Sequence, residues 1–368
     1  MSGSSRTLSR RDFLKLTGLG MGAMAMRRWE PQWSRGLFMP EFPAAERLGR
    51  NCTGKIDIKS QPDIGSSTVK TIYEDTVLPW LREVNALNPD YNRIIQRWVE
   101  TPEGFIYSPY FQPVRNLPNT PLTSLPAGTN GFWAEVTVPY VDFVMDNPPP
   151  RSPGLRYLVE NNQPTRFYYS QVFWVDQVKT SEVTGNIIYR VSERFGSYGD
   201  VAWAEAAAFR PYTEEDSAPI HPEVDPNTKK VVVNLTNQTL SCFEGDQEVY
   251  FCRVSTGVGD HSTPLGQHMP WRKMISTHMA GGTVDAGYDT PGIGWTYLFS
   301  GEGVAIHSTF WHNQFGERRS HGCVNCSPED AKWIFRWTTP AVQMDPGDVV
   351  VQYPAGGTTP VIVEERLY

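Results

Sequence analysis

The sequence predicts a mainly β protein built from several small domains, and three observations carry that prediction. Turn-forming Gly (31) and Pro (30) are abundant, with Trp (12) and Tyr (16) beside them, a mix suited to short strands and many turns. Apolar and polar residues alternate over short runs, which is the period of a half-buried strand. A strand pattern recurs once in the middle of the chain, pointing to duplicated modules.

At 368 residues the chain exceeds what one ordinary core organises. Hydrophobic residues at 39% and charged residues at 20% are globular values. The formal net charge of −7 argues against a nucleic-acid partner, because phosphate binding needs surplus Lys and Arg. No apolar run reaches the length of about 18 residues that spans a bilayer, so no transmembrane segment is expected in the mature chain. The five cysteines (52, 242, 252, 323, 326) are too irregularly spaced for a disulfide framework.

Residues 1–50 read as an address and a linker. Ser9-Arg10-Arg11-Asp12-Phe13-Leu14-Lys15 precedes a weakly apolar run to Met26, with Ala23-Met24-Ala25 as a cleavage site. Paired arginines before such a run look like a twin-arginine export signal. The expected location is therefore the periplasm, cell wall or extracellular space.

Two segments, 51–115 and 131–213, repeat one plan. Each has an Asn and paired isoleucines, then Arg and Glu, a Gly-containing turn, and an aromatic-rich strand. Each closes on an aromatic-x-Pro, where Phe111 and Pro113 answer Phe209 and Pro211. Val77 to Val84 likewise answers Val172 to Val178. Two all-β copies in tandem are expected, with Pro118–Pro126 and Asn147–Pro150 as stiff linkers or loops. The pattern resembles bacterial SH3-like modules, small β-barrels that bind or position wall enzymes.

Residues 228–354 carry the chemistry. Lys229–Leu235 opens a strand, and Thr239–Phe243 with Glu248–Val254 form a hairpin about a four-residue turn. Val304-Ala305-Ile306 is a short strand that delivers His307 to its end. After a loop of twelve residues (308–319) comes Ser320-His321-Gly322-Cys323-Val324-Asn325. A thiol attacks as thiolate, from an ordinary pKa of about 8.5, and a neighbouring imidazole is its usual activator. Gly322 lets the backbone approach a substrate carbonyl, and successive N–H groups at 322 and 323 suit an oxyanion hole. Ser327-Pro328-Glu329-Asp330 starts a helix: N-cap Ser, first-position Pro, then acidic residues. Ala331, Ile334, Phe335 and Thr338 share one face of it, and its positive end is expected to favour the thiolate.

His307, a loop and Ser320 to Asn325 together resemble the L,D-transpeptidase catalytic domain, the YkuD-like family. The resemblance extends to Ser255-Thr256-Gly257 and Thr263-Pro264-x-Gly266. It implies a β-sandwich or barrel with Cys323 as nucleophile and His307 as its base, about 3 Å away. Ser308 orients the imidazole through its carbonyl, and His321, Gly322 and Cys323 offer oxyanion N–H groups. Met279 to Gly282, Tyr288 and Trp295 match a flap over the donor peptide, with Trp311, Ser320 and Asn325 lining the site. The implied partners are peptidoglycan stem peptides, with carbapenem-type inhibitors acylating Cys323. No cofactor or metal is implied.

Rival readings remain. Cys323-Val324-Asn325-Cys326 near His307, His312 and His321 has the spacing of a zinc site, and the same pair suits a strained disulfide. A non-catalytic wall-binding protein is the other alternative. His221, His261, His268 and His278 read as satisfied surface or loop residues, and Arg318 and Arg319 as a solvated loop. Cys242 and Cys252 read as strand residues facing inward.

Overall fold

The computed structural model describes residues 37–281, 287–301, 303–351 and 357–366. The export signal lies outside them. Among the described residues, no helix is long and apolar enough to cross a membrane.

The first unit contains β1 (Leu48–Asn51), β2 (Lys55–Lys59), β3 (Thr68–Tyr73) and β4 (Val77–Pro79). It continues with β5 (Arg82–Asn85), β6 (Arg97–Thr101), β7 (Gly104–Tyr107) and, after one 3-10 turn, β8 (Phe111–Val114). These form sheets ordered β3-β2-β7-β6-β5 and β4-β1-β8.

The second unit has β9 (Phe132–Val136), β10 (Tyr140–Met145), β11 (Arg166–Tyr168) and β12 (Val172–Thr180). Then come β13 (Ile187–Ser192), β14 (Ala202–Glu205), a 3-10 turn and β15 (Phe209–Pro211), in one sheet ordered β11-β10-β14-β13-β12-β9-β15. Joining β4 to β5 makes the two orders identical. The first copy breaks where Pro79 cannot donate a ladder hydrogen bond and Trp80 turns inward to stack on Phe111. At the matching place β12 carries only a register shift, between Val175 and Gln177.

One expectation needs correction. The second unit is not all β: helix α1 (Pro153–Glu160) is inserted between β10 and β11. Ser152 caps it, accepting from Leu155 N, and Pro153 takes its first turn. Asn147–Pro150 is the loop that leads into this helix, one of the two forms expected of it. The segment after β8 is docked too, with Leu117 N donating to Thr137 O at 3.0 Å and Asn119 N to Ala207 O at 2.8 Å.

After a short helix α2 (Glu214–Ser217), the C-terminal domain packs two five-stranded sheets face to face. One is ordered β18-β17-β16-β25-β19, from β16 (Lys229–Asn234), β17 (Thr239–Glu244), β18 (Gln247–Arg253), β19 (Gly266–His268) and β25 (Val361–Glu364). The other is β23-β22-β21-β20-β24, from β20 (Arg272–Gly281), β21 (Tyr288–Leu298), β22 (Ala305–Ser308), β23 (Val324–Cys326) and β24 (Asp348–Val350). Helix α3 (Pro328–Trp337) buries Ala331, Ile334 and Phe335 in the core, and Thr338 beyond it is buried too. β25 lies beyond residue 354, where the sequence reading ends the domain. It pairs parallel with β16.

The core does not stop at the domain edge. Trp133, Val172, Trp174 and Tyr212 of the second unit belong to the same buried cluster as Val231, Ile306, Val324 and Phe335.

Candidate active site

Strands β22 and β23 run parallel, with Ile306 opposite Val324, His307 opposite Asn325 and Ser308 opposite Cys326. Alternation then sorts the side chains. Ile306, Val324 and Cys326 enter the main core, whereas Ala305 joins Met274 and Leu298 in a separate cluster that Cys323 packs against. The pairing thus sends His307 and Cys323 to one face and Cys326 to the other. A C-x-x-C chelate or a Cys323–Cys326 disulfide is therefore contradicted by the strand geometry, and all five cysteines are free.

His307 is buried, 3% exposed. Its Nδ1 lies 2.8 Å from Ser308 O, and since a carbonyl only accepts, the proton sits on Nδ1 and Nε2 keeps its lone pair. Ser308 Oγ also accepts from Gly294 N at 3.1 Å. The Trp311 ring stacks on the imidazole at 5.9 Å. Burial, partly offset by the Ser308 hydrogen bond, pushes the His307 pKa down to about 4. The imidazole is neutral at pH 7, the form that accepts a proton.

Cys323 is half-buried, and its Sγ lies 4.0 Å from Gly303 O. No hydrogen bond joins it to His307 among the described residues. Burial pushes the thiol up to about 11. The expectation of a thiolate favoured by the α3 N-terminus is corrected for a simple reason. The whole of β23 separates Cys323 from that helix, whose Ser327 cap already accepts from Asp330 N. The resting pair is a neutral thiol beside a neutral imidazole.

The Ser320–Cys323 loop is braced from both sides. Ser320 N and Arg319 N donate to Thr256 O at 3.0 and 2.8 Å. Ser255 and Asn325 exchange backbone hydrogen bonds at 2.9 and 3.0 Å. Thr263 Oγ1 donates to Gly322 O at 2.8 Å and accepts from Gly257 N at 3.0 Å. A Cβ on Gly257 would lie 2.0 Å from His261 O and 2.9 Å from Gly322 Cα, so only glycine permits this approach. The Ser-Thr-Gly and Thr-Pro-x-Gly segments are thus the mount of the cysteine loop.

Gly322 has φ of 111°, which suits glycine alone, but its expected oxyanion role is corrected. Its N–H donates to Ser320 Oγ at 3.2 Å, and that hydroxyl donates in turn to Cys323 O. Ser320 is therefore a loop brace. Neither the His321 nor the Cys323 N–H makes a hydrogen bond among the described residues, which leaves these two as donors.

The remaining expected residues divide. Tyr288 is 39% exposed, 5.5 Å ring to ring from His321, which lies 5.2 Å from His261. Trp295 does not reach the site: it is 2% exposed, packed on Phe335 and Tyr212 in the main core. Its backbone on β21 is left-handed, with φ of 59°. The Asn325 amide faces His312 Nε2 at 2.9 Å, and His312 Nδ1 accepts from Gln314 N at 3.0 Å. Asn325 and His312 are buried struts rather than open binding groups. Gly281 ends β20, while Gly282 lies outside the described residues. Arg318 is held by Leu235 O and Glu365, and Arg319 by Gln314.

The first two units also reach this site. Arg50 donates to Asp75, Gln112 and Phe310 O, and the Asn313 amide donates to Ser108 O and Phe111 O at 3.2 Å. Tyr168 stacks on Phe310 at 5.9 Å. Phe310 and Trp311 border a cavity of about 400 Å³ whose other walls include Phe143, Leu155, Phe167 and Phe173. Sequence reasoning missed Arg50, Asn313 and the strut role of His312, because only the fold brings them to residues far away in sequence.

Residues 228–363 match the YkuD family, the L,D-transpeptidase catalytic domain. No curated protein matches the chain. Among solved structures, an Enterococcus faecium L,D-transpeptidase is similar at 22% identity and TM-score 0.30, over 37% of this chain and 50% of that one. A Mycobacterium smegmatis L,D-transpeptidase is 16% identical at TM-score 0.30, over 48% of this chain and 90% of that one. One from Mycobacterium tuberculosis H37Rv is 20% identical at TM-score 0.29, over 67% and 98%. The chain spans about half the length of the first matched structures. The family match covers the two five-stranded sheets that carry His307 and Cys323.

Proposed function

We propose that this protein is an exported peptidoglycan L,D-transpeptidase with Cys323 as nucleophile. The observation that carries the reading is the β22–β23 pairing. It sets His307 and Cys323 on one face, with Nδ1 tied to Ser308 O and Nε2 free. In the first step the thiol proton passes to His307 Nε2 as Sγ bonds to the carbonyl carbon of the donor stem's third residue. The oxyanion is held by the His321 and Cys323 N–H groups. Collapse breaks the C–N bond, His307 returns the proton to the departing amine, and D-alanine leaves. An acceptor amine, or water, then attacks the thioester, breaks the C–S bond and restores the thiol. Starting from a neutral pair, proton transfer must accompany attack, so His307 acts within the step. A twin-arginine signal supplies export, and the two N-terminal units resemble SH3-like modules.

The test is incubation with a defined tetrapeptide stem, with products read by mass. Loss of D-alanine and a thioester on Cys323 are expected, together with one carbapenem adduct per chain. Cys323→Ala should show none of these. Turnover that survives in Cys323→Ala would overturn the reading.

A further inference from the structure

Asp289 follows Tyr288 on β21 and is committed away from the active site. Its Oδ2 accepts from Ser152 Oγ at 2.8 Å and from Gly154 N at 2.6 Å, both at the start of α1. Its Oδ1 meets His278 Nε2, and His278 Nδ1 meets Glu193 Oε2 at 2.7 Å. Glu193 Oε1 then accepts from Gly292 N at 2.8 Å, back on β21. The side chains of His278, Glu193 and Asp289 are 3%, 9% and 12% exposed. His278 is therefore not the surface or loop residue that the sequence suggests.

An imidazole with a carboxylate at each nitrogen satisfies both only when both nitrogens carry protons. Burial opposes that charge, but the hydrogen bonds and charges of Glu193 and Asp289 outweigh it and raise the His278 pKa. Among the described residues, Arg166 lines the same cavity but is paired with Asp75 and Asp142. From the loop before β14, Tyr198 lays its ring 5.2 Å from His278, while Asp200 is occupied by Arg151 N and Ser152 N. Arg194 is turned to Asp345.

We propose that His278 is a positioning residue, which clamps the β20–β21 hairpin to the second unit and so sets Tyr288 beside His321 and Cys323. The inference rests on the transpeptidase reading. It makes the second unit a part of donor-peptide binding, because Asp289 of the hairpin holds α1 directly and is joined to Glu193 of the second unit through one ionised histidine. Loss of that proton leaves one carboxylate facing a lone pair, and the hairpin loosens from its base. The clamp is whole below the raised His278 pKa and is lost as pH rises through it.

The experiment uses the full chain and a tetrapeptide stem over about pH 5–9, the range in which a histidine changes charge. In the parent, KM should rise at the alkaline side. His278→Gln should raise KM about tenfold at all pH values, equivalent to one charge-assisted hydrogen bond. Its kcat and its rate of Cys323 alkylation should stay near the parent's. Asp289→Asn offers an N–H to a neutral His278 while still accepting from Ser152 and Gly154, so it should keep a low KM and remove the alkaline rise. A purely structural role predicts no such rescue. An active parent with an unchanged KM in His278→Gln, or an alkaline rise that persists in Asp289→Asn, overturns this inference alone. If His278→Gln does not fold, the Asp289→Asn profile decides. A parent that leaves the peptide intact overturns the functional reading and this inference with it.

Discussion

The first unit meets the C-terminal domain through polar groups, whereas the second meets it through its core. Arg50, Asn313 and the Ser108–Phe111 carbonyls make the first junction, and the first unit keeps its own small core around Ile58, Trp80, Val99 and Phe111. The second contributes Trp133, Val172, Trp174 and Tyr212 to the catalytic core itself. Its Ser276–Val172 and Gln171–Pro291 hydrogen bonds, both 2.6 Å, run along the same seam. One strand order has served two purposes. Directional hydrogen bonds place a loop, and apolar burial fuses two bodies into one folding unit.

The sharpest break of that comparison is deletion. A chain without residues 131–213 should fail to fold, since it bares the apolar face of the catalytic core. A chain without residues 48–115 should stay folded and lose activity on soluble stems, because Phe310 and Asn313 lose their partners. Circular dichroism and stem turnover read the two outcomes. Equal folding of both chains would break the distinction.

Next in size is the tryptophan pair. Trp133→Ala should cost about 3–5 kcal/mol, the usual range for emptying a large buried site, and should lower one melting transition shared by the second unit and the catalytic domain. Trp80→Ala should destabilise the first unit and leave the catalytic transition in place. Calorimetry that shows one common shift for both variants would mean the first unit is fused as well.

A pH effect of similar size belongs to the active site. The folded pKa of His307 lies near 4, below the ordinary value of 6.5, so the unfolded chain binds a proton that the folded form refuses. Stability from this residue is whole above about pH 6.5 and falls as pH drops towards 4, by about 3 kcal/mol at the limit. His307→Gln should flatten that acid limb in urea titrations. Thiol alkylation in the parent should climb towards pH 11 and show no plateau near neutrality, the opposite of a preformed ion pair.

The smallest effect is expected at α1. Ser152→Ala removes a cap worth about 1 kcal/mol, together with one acceptor–donor link to Asp289. It should raise KM for the stem slightly while leaving the first unit's melting untouched.

Much of this was legible in the chain. Strand alternation announced β16 to β18, and Ser327-Pro328 announced α3 with its buried face. Yet Ser152-Pro153 carries the same signature, masked by surrounding prolines that suit a linker or loop. His278 sits in a strand with no acidic neighbour, Arg272 to Gly281, so nothing local marks its two carboxylate partners. Trp295 shows the reverse error. Its residue type suits a binding flap, but its place on β21 turns it into the core.

By itself the sequence determined the β class, the duplicated strand plan and the catalytic-domain motif around His307 and Cys323, since each depends on local period or a short motif. Only the tertiary structure decided which face each side chain takes, that Gly322 N–H is already used, and that the second unit shares the catalytic core. Those outcomes depend on strand register and on contacts between residues as far as 260 positions apart, and neither leaves a local mark in the chain.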